Sequence, residues 1–172
     1  RIKEGISAVK ILGYNKNQVI YKNFPFYQKN DRNITKEDSK IFEKIVSNIN
    51  PKHIFVCSDP DPHGTHLKCY DIIFSSNINE DIEIWQYKSA WEDWNASKLK
   101  PNVNFCIDKE SFNKKLLSID MHISQIDPLV TNGNKLKSFK DIVVARNKSK
   151  FFYGQYIEKF NKSKFKDFQK IN

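Results

Sequence analysis

Two hydrophobic periods alternate along the chain. Apolar residues three to four positions apart predict helices, and short apolar runs predict strands. The predicted helices cover residues 1–13, 36–49, 65–74 and 109–125, and the predicted strands cover residues 19–21, 53–57, 82–87 and 103–107. Thr35 followed by Asp38 is a helix-start signature, and Pro51 stops the helix that follows. Alternating strands and helices are typical of a parallel sheet with helices on its faces, so we predict an α/β fold.

The last third of the chain has a weaker pattern. Residues 128–137 contain Asn132-Gly133-Asn134 and are predicted to be a loop, and the remainder to Lys170 is predicted to form one or two helices. In the run 159–170, five lysines alternate with three phenylalanines. We interpret that run as a terminal helix with a solvated basic face rather than as a phosphate-binding stripe.

Composition bounds the class of protein. A chain of 172 residues that is 39% hydrophobic can bury one core, so we expect a single domain over residues 1–172. The chain opens inside a helical pattern at Arg1, so we expect it to be a piece of a longer protein. The sequence has no run of about 20 apolar residues and no secretory leader, which argues against a membrane partner. Cys57, Cys69 and Cys106 are predicted to be reduced and buried, which favours a cytoplasmic setting.

The net charge of +9 raises the question of nucleic-acid binding. The excess is diffuse and consists mostly of lysine, and no nucleic-acid motif accompanies it. We therefore rank a nucleic-acid-binding function last and expect no nucleic-acid partner.

The richest chemistry lies directly after the predicted strand 53–57. Residues 58–66 read Ser-Asp-Pro-Asp-Pro-His-Gly-Thr-His, which places two carboxylates and two imidazoles beyond the end of a strand. Ligands of open α/β sheets bind at that end. His63 and His66 are three residues apart and suit a divalent metal. The alternative is ordinary turn material with Thr65 as a helix cap. His53 and His122 are most simply structural, at a strand edge and on a helix face.

Several blocks extend this loop into a family resemblance. The segment Asp61-Pro62-His63-Gly64-Thr65-His66 resembles the second metal motif of the LmbE/PIG-L superfamily of zinc-dependent de-N-acetylases, in the form fused behind glucosamine-6-phosphate deaminase domains. Residues 24–27 resemble its LPFY loop, residues 85–94 its WLYRGAWHEW block, residues 122–125 its HQSQ segment, and Arg146-Asn147 a late RN pair. In order, these blocks span nearly the whole chain.

The resemblance implies a Rossmann-like three-layer fold with a mainly parallel sheet, and it implies roles for individual residues. His66 falls on the zinc ligand, and His63 falls on the residue that stabilises the oxyanion. Arg1, Lys88, His122 and Gln125 are implied substrate-binding residues. Two positions depart from the family pattern: Thr65 stands where the motif has Asp, and Lys88 replaces an Arg, which weakens bidentate contact with an anion.

The superfamily's first motif, Ala-His-Pro-Asp-Asp, does not occur in these 172 residues. A hydrolytic zinc site needs about three protein ligands and a general base. The first hypothesis is therefore the carboxyl-terminal part of an amino-sugar enzyme that hydrolyses an N-acyl sugar amide. On this hypothesis the intact enzyme holds zinc, whereas this chain alone does not. Its partners are the amino-terminal remainder of the parent protein and an amino-sugar phosphate substrate. The second is a non-catalytic module that binds sugar phosphate or forms a homo-oligomer.

Overall fold

The structure is a computed structural model that describes residues 1–28, 33–58, 64–89, 94, 98–125, 131–132, 135–136, 139–147 and 156–169. The helices are α1 (Ile2–Ile11), α2 (Pro25–Gln28), α3 (Lys36–Ile49), α4 (Gly64–Phe74), α5 (Lys109–Asp120), α6 (Phe139–Asn147) and α7 (Phe165–Phe168). The strands are β1 (His53–Cys57), β2 (Glu83–Tyr87), β3 (Val103–Ile107), β4 (Thr131–Asn132), β5 (Lys135–Leu136) and β6 (Tyr156–Lys164). Short 3-10 helices cover Lys16–Gln18 and Ile123–Gln125.

The chain divides into two compact units. The first unit contains Arg1–Lys22 and Asn104–Glu158, and the second contains Asn23–Val103 and Lys159–Asn172. The single domain stays a prediction.

The main sheet has the strand order β1-β2-β6-β3. β1 and β2 are parallel, with Val56 opposite Gln86, whereas β6 runs antiparallel to β2, with Asn161 opposite Gln86. Helices lie against the strands, with α4 on β1 and α7 on β2. The predicted α/β class is confirmed, and the sheet is mixed. The Rossmann-like arrangement remains a prediction.

One face of β1 and β2 carries the core of the second unit. Successive side chains of a strand point to opposite faces, so Val56, Ile82 and Ile84 share a face. They are buried together with Tyr70 and Ile73 of α4 and with residues of α3 and α7. We call this the inner face. Apolar side chains cover the inner face near the amino-terminal ends of the strands, and polar side chains lie on it near the carboxyl-terminal ends.

Helix α3 begins as its sequence predicts. Thr35 and Asp38 form a capping box, in which Asp38 accepts hydrogen bonds from the Thr35 N–H and hydroxyl, both at 2.8 Å. Asp38 is fully buried and also accepts the Phe26 N–H at 3.2 Å. Its carboxylate therefore fixes helix α2 to the start of α3.

The first unit is built on helices. Helix α5 packs against α1 and α6, and Asp108 caps its start by accepting the Ser111 N–H at 2.7 Å. The buried Phe112 ring stacks on Tyr156 with centroids 3.7 Å apart. Lys140 pairs with Asp120 at 2.6 Å. The predicted helix 109–125 ends at Asp120 and is followed by the 3-10 turn.

Two sequence predictions in the secondary structure are wrong. Residues 19–21 form no strand; Val19 only ends the preceding 3-10 helix. The basic run starting at Lys159 is not a terminal helix, because residues 156–164 form strand β6 and only Phe165–Phe168 is helical. Lys162 forms an ion pair with Glu83, and Lys164 forms one with Asp81. Both carboxylates are far from the run in sequence, so its local pattern does not predict these contacts. In the predicted loop 128–137, β4 and β5 pair.

The cysteine prediction is only half right. None of the three cysteines, all of which lie in described parts of the chain, forms a disulfide, and Cys57 is buried, but Cys69 and Cys106 are exposed. In the part of the chain that the structure describes, no helix has the length and apolar character needed to cross a membrane.

Candidate functional site

The carboxyl edge of β1 and β2 is the place where the second unit gathers its polar groups. The parallel pairing brings the ends of both strands to the same edge, and the Ser58 N–H donates to the Tyr87 carbonyl at 2.8 Å, which continues the ladder by one residue. The same register places Ser58 opposite Lys88. The inner face therefore carries Val56 and Gln86 at one level and Ser58 and Lys88 at the next.

His66 lies at this edge because of the helical repeat of α4. His66, Tyr70 and Ile73 are spaced i, i+4 and i+7, so they share one side of the helix. Tyr70 and Ile73 are buried against the inner face, whereas His66 is half-buried, one turn nearer the start of the helix. The predicted metal ligand thus lies on the side of α4 that faces the sheet.

Two buried side chains at the edge stand out. Gln86 is 1% exposed and Ser58 is 2% exposed. Within the described ranges, the Ser58 hydroxyl and both polar atoms of the Gln86 amide have no hydrogen-bond partner. Asn161, opposite Gln86, instead donates its side-chain amide to the Lys100 carbonyl at 2.7 Å. Buried polar groups are almost always paired in native proteins, so these atoms require an explanation.

Lys88 is half-buried directly beyond the end of β2, and its Nζ lies 5.4 Å from the centroid of the Trp94 ring. This cation–π contact holds the ammonium near the edge. The predicted oxyanion-stabilising His63, together with Asp59 and Asp61, lies outside the described residues. Its role stays a prediction.

The other predicted substrate residues belong to the first unit. Arg1 is exposed at the start of α1, His122 follows α5, and Gln125 ends the 3-10 turn. Glu4 of α1 holds this turn, because its carboxylate accepts the Ser124 hydroxyl at 2.6 Å and the Ser124 N–H at 2.9 Å. These hydrogen bonds hold the pKa of Glu4 below its ordinary value of 4.5, and His122 contributes a smaller electrostatic effect in the same direction.

His53 has the structural role that the sequence indicates. It lies on the outer face of the sheet, opposite to the inner face, with its Nδ1 2.9 Å from Glu83 and 3.3 Å from the Trp85 indole nitrogen. A hydrogen bond from Lys162 is the main reason why the pKa of Glu83 lies below its ordinary value. These outer-face residues contact one another, and they are separate from the carboxyl edge of β1 and β2.

The residues present fit one ligand of a metal site. His66 offers an imidazole at the edge, but among the described residues no group of three or more His, Cys, Asp or Glu side chains could hold a metal ion. The zinc expectation therefore stays a prediction.

Sequence reasoning missed the roles of three residues. Ser58 and Gln86 become notable only when the strand register puts their buried polar atoms on one face. Glu4 is visible in the sequence as an acidic residue in a first helical turn, but its partner Ser124 is 120 residues away.

Comparisons with known proteins give one informative match. The chain is 32% identical over 146 residues to a glucosamine-6-phosphate deaminase-like protein of Bacteroides thetaiotaomicron, and the match covers 76% of this chain. The chain spans about a fifth of the length of that relative, 21%. No protein-family model matches the sequence.

Proposed function

We propose that this chain is a section of a larger amino-sugar enzyme, in which the carboxyl edge of β1 and β2 forms part of a zinc-dependent site that hydrolyses an N-acyl sugar amide. The observation that carries the proposal is the position of His66. It is an imidazole on the sheet-facing side of α4, at the edge where α/β folds bind ligands. The similarity to a deaminase-like protein supports an amino-sugar substrate.

The proposed roles follow the placement of the residues. His66 is one metal ligand, and zinc would supply polarisation of the amide and activation of water. His63 stabilises the developing oxyanion, and Lys88 attracts an anionic group such as a sugar phosphate. In the first unit, Glu4 holds the turn that carries His122 and Gln125. The substrate-binding roles that the resemblance implies for Arg1, His122 and Gln125 stay predictions. The amino-terminal remainder of the parent supplies the missing ligands and the general base.

A second candidate is a non-catalytic module that binds a sugar phosphate or forms a homo-oligomer. One observation favours it: the described residues contain no group of three metal donors. A module of this kind would keep the fold and Lys88 but would bind no zinc.

Metal analysis of the full-length parent separates these two candidates. We expect about one zinc per chain in the wild-type parent and a large loss of zinc in His66→Ala, whereas the 172-residue chain alone should hold no stoichiometric zinc. His53→Ala is the matched control, because His53 lies on the outer face, and it should retain the metal. A parent without zinc, or a His66→Ala variant that keeps all of it, would contradict the enzyme proposal.

A further inference from the structure

The inner face of the sheet changes character along its length. From Ile82 to Ile84 it is packed with apolar side chains, but at the next level it presents Gln86, which is 1% exposed. Neither atom of its amide has a partner in the described part of the chain, and the same holds for the Ser58 hydroxyl. A buried amide that lacks hydrogen bonds destabilises a protein, because it gave up hydrogen bonds to water and gained none in return. A ligand group that supplies those bonds would remove this cost.

Helix α4 begins shortly after the end of β1. Its first residue, Gly64, is exposed, and among the described residues a Cβ atom added to it would meet nothing within 4 Å. His66 is half-buried in the first turns of the helix, on the side that carries the buried Tyr70 and Ile73. The first amide N–H groups of a helix are unpaired within the helix and favour an approaching oxygen. The helix start and the orphaned side chains of Ser58 and Gln86 both lie toward the carboxyl-terminal ends of β1 and β2.

The chemistry of Gln86 defines the partner. The uncharged Gln86 side chain has a carbonyl oxygen that accepts hydrogen bonds and an NH2 group that donates them. A serine hydroxyl can either donate or accept a hydrogen bond. A secondary amide carries one carbonyl acceptor and one N–H donor, so it can satisfy both ends of the Gln86 side chain at once. An ammonium has donors only and a carboxylate has acceptors only, so either would leave one end unpaired.

We propose that Gln86 and Ser58 form a subsite for the N-acyl amide of the ligand, with Gln86 as the residue that selects an N-acylated over a free amino sugar. The inference rests on the proposed function, since it assigns the amide to the same edge as His66. Gln86 would pair with the amide carbonyl and N–H, while Ser58 would bind the carbonyl oxygen from the neighbouring strand. Both residues bind and orient the ligand.

Calorimetric titration of the full-length parent, kept metal-free with a chelator so that it does not hydrolyse the probe, tests this subsite. The probes are N-acetylglucosamine 6-phosphate and glucosamine 6-phosphate, which differ only in the acyl group. In Gln86→Leu we expect the affinity for the N-acetyl probe to fall about 10-fold or more, because two hydrogen bonds are lost. The affinity for the amine probe should fall less, because an ammonium can pair only with the carbonyl end of the Gln86 side chain. The free variant should be as stable as the wild type or more stable, since an orphaned amide is replaced by an apolar side chain.

Two controls separate binding from folding. Ser163 also has a buried hydroxyl without a partner among the described residues, but it lies opposite Ile84, within the apolar part of the inner face. Ser163→Ala should leave both affinities unchanged, whereas Ser58→Ala should weaken only the N-acetyl probe. Circular dichroism confirms that each variant is folded.

Each outcome has a definite meaning. Equal loss of both probes in Gln86→Leu, or no loss of either, overturns the subsite while leaving the proposed hydrolysis intact. A Gln86→Leu variant that is strongly destabilised also overturns it, because the amide must then have had a partner. A wild-type parent that binds neither probe overturns both this inference and the proposed function.

Discussion

The buried carboxylate of Asp38 gives a quantitative test of how the second unit is held together. It accepts two hydrogen bonds from Thr35 and one from the Phe26 N–H, and it is fully buried. In Asp38→Ala the Phe26 N–H loses this acceptor in a buried position, which costs about 1–3 kcal/mol. Loss of the capping-box contact from Asp38 to Thr35 adds about 1 kcal/mol. We therefore expect the free energy of unfolding to fall by about 2–4 kcal/mol.

Urea unfolding followed by tryptophan fluorescence measures this loss. Trp85 and Trp94 belong to the second unit, so their emission reports on it. Asp38→Asn keeps one carbonyl acceptor and should fall between wild type and Asp38→Ala. Glu37→Ala, an exposed position in the same first turn, is the matched control and should change stability by less than about 0.5 kcal/mol. A loss in Asp38→Ala as small as in the control would refute the reasoning.

Two further predictions concern the first unit. Because the folded-state pKa of Glu4 is lowered, its stabilising contribution is present above the ordinary value of 4.5 and is lost as the pH falls through the folded-state pKa. Glu4→Gln should therefore flatten the acid limb of a stability–pH curve measured by circular dichroism, and an unchanged limb would count against the Ser124 contact. In Gly5→Ala the new Cβ would lie 2.6 Å from the Tyr21 hydroxyl oxygen. Because that oxygen ends an exposed side chain that can move away, we expect the thermal midpoint to rise by less than alanine's helix preference alone would give. Adding Tyr21→Phe should release the full gain, and a double variant no more stable than Gly5→Ala would disprove the contact.

The elements that the sequence predicts correctly carry their signals locally. The apolar run of β1 and the capping pair Thr35 and Asp38 are complete within a few residues, and the structure confirms both. Strand β6 is different, because Lys162 is held by Glu83, 79 residues away. Alternating lysine and phenylalanine are compatible with a helix or a strand. Pairing with a neighbouring strand determines which of the two forms.

The site divides in the same way. The position of His66 follows from sequence alone, since the end of β1 and the start of α4 are both readable. Gln86 and Ser58 could not be identified in this way, because neither has a distinctive spacing. Their importance comes from the parallel register of β1 with β2 and from burial, which are properties of the folded chain.

The proposed function is tested most directly by the release of free amine from N-acetylglucosamine 6-phosphate by the full-length parent. We expect wild type and His53→Ala to deacetylate this compound at similar rates and His66→Ala to lose the activity. A parent that releases no amine, or a His66→Ala variant as active as His53→Ala, would contradict the assignment of the carboxyl edge of β1 and β2 as a hydrolytic site.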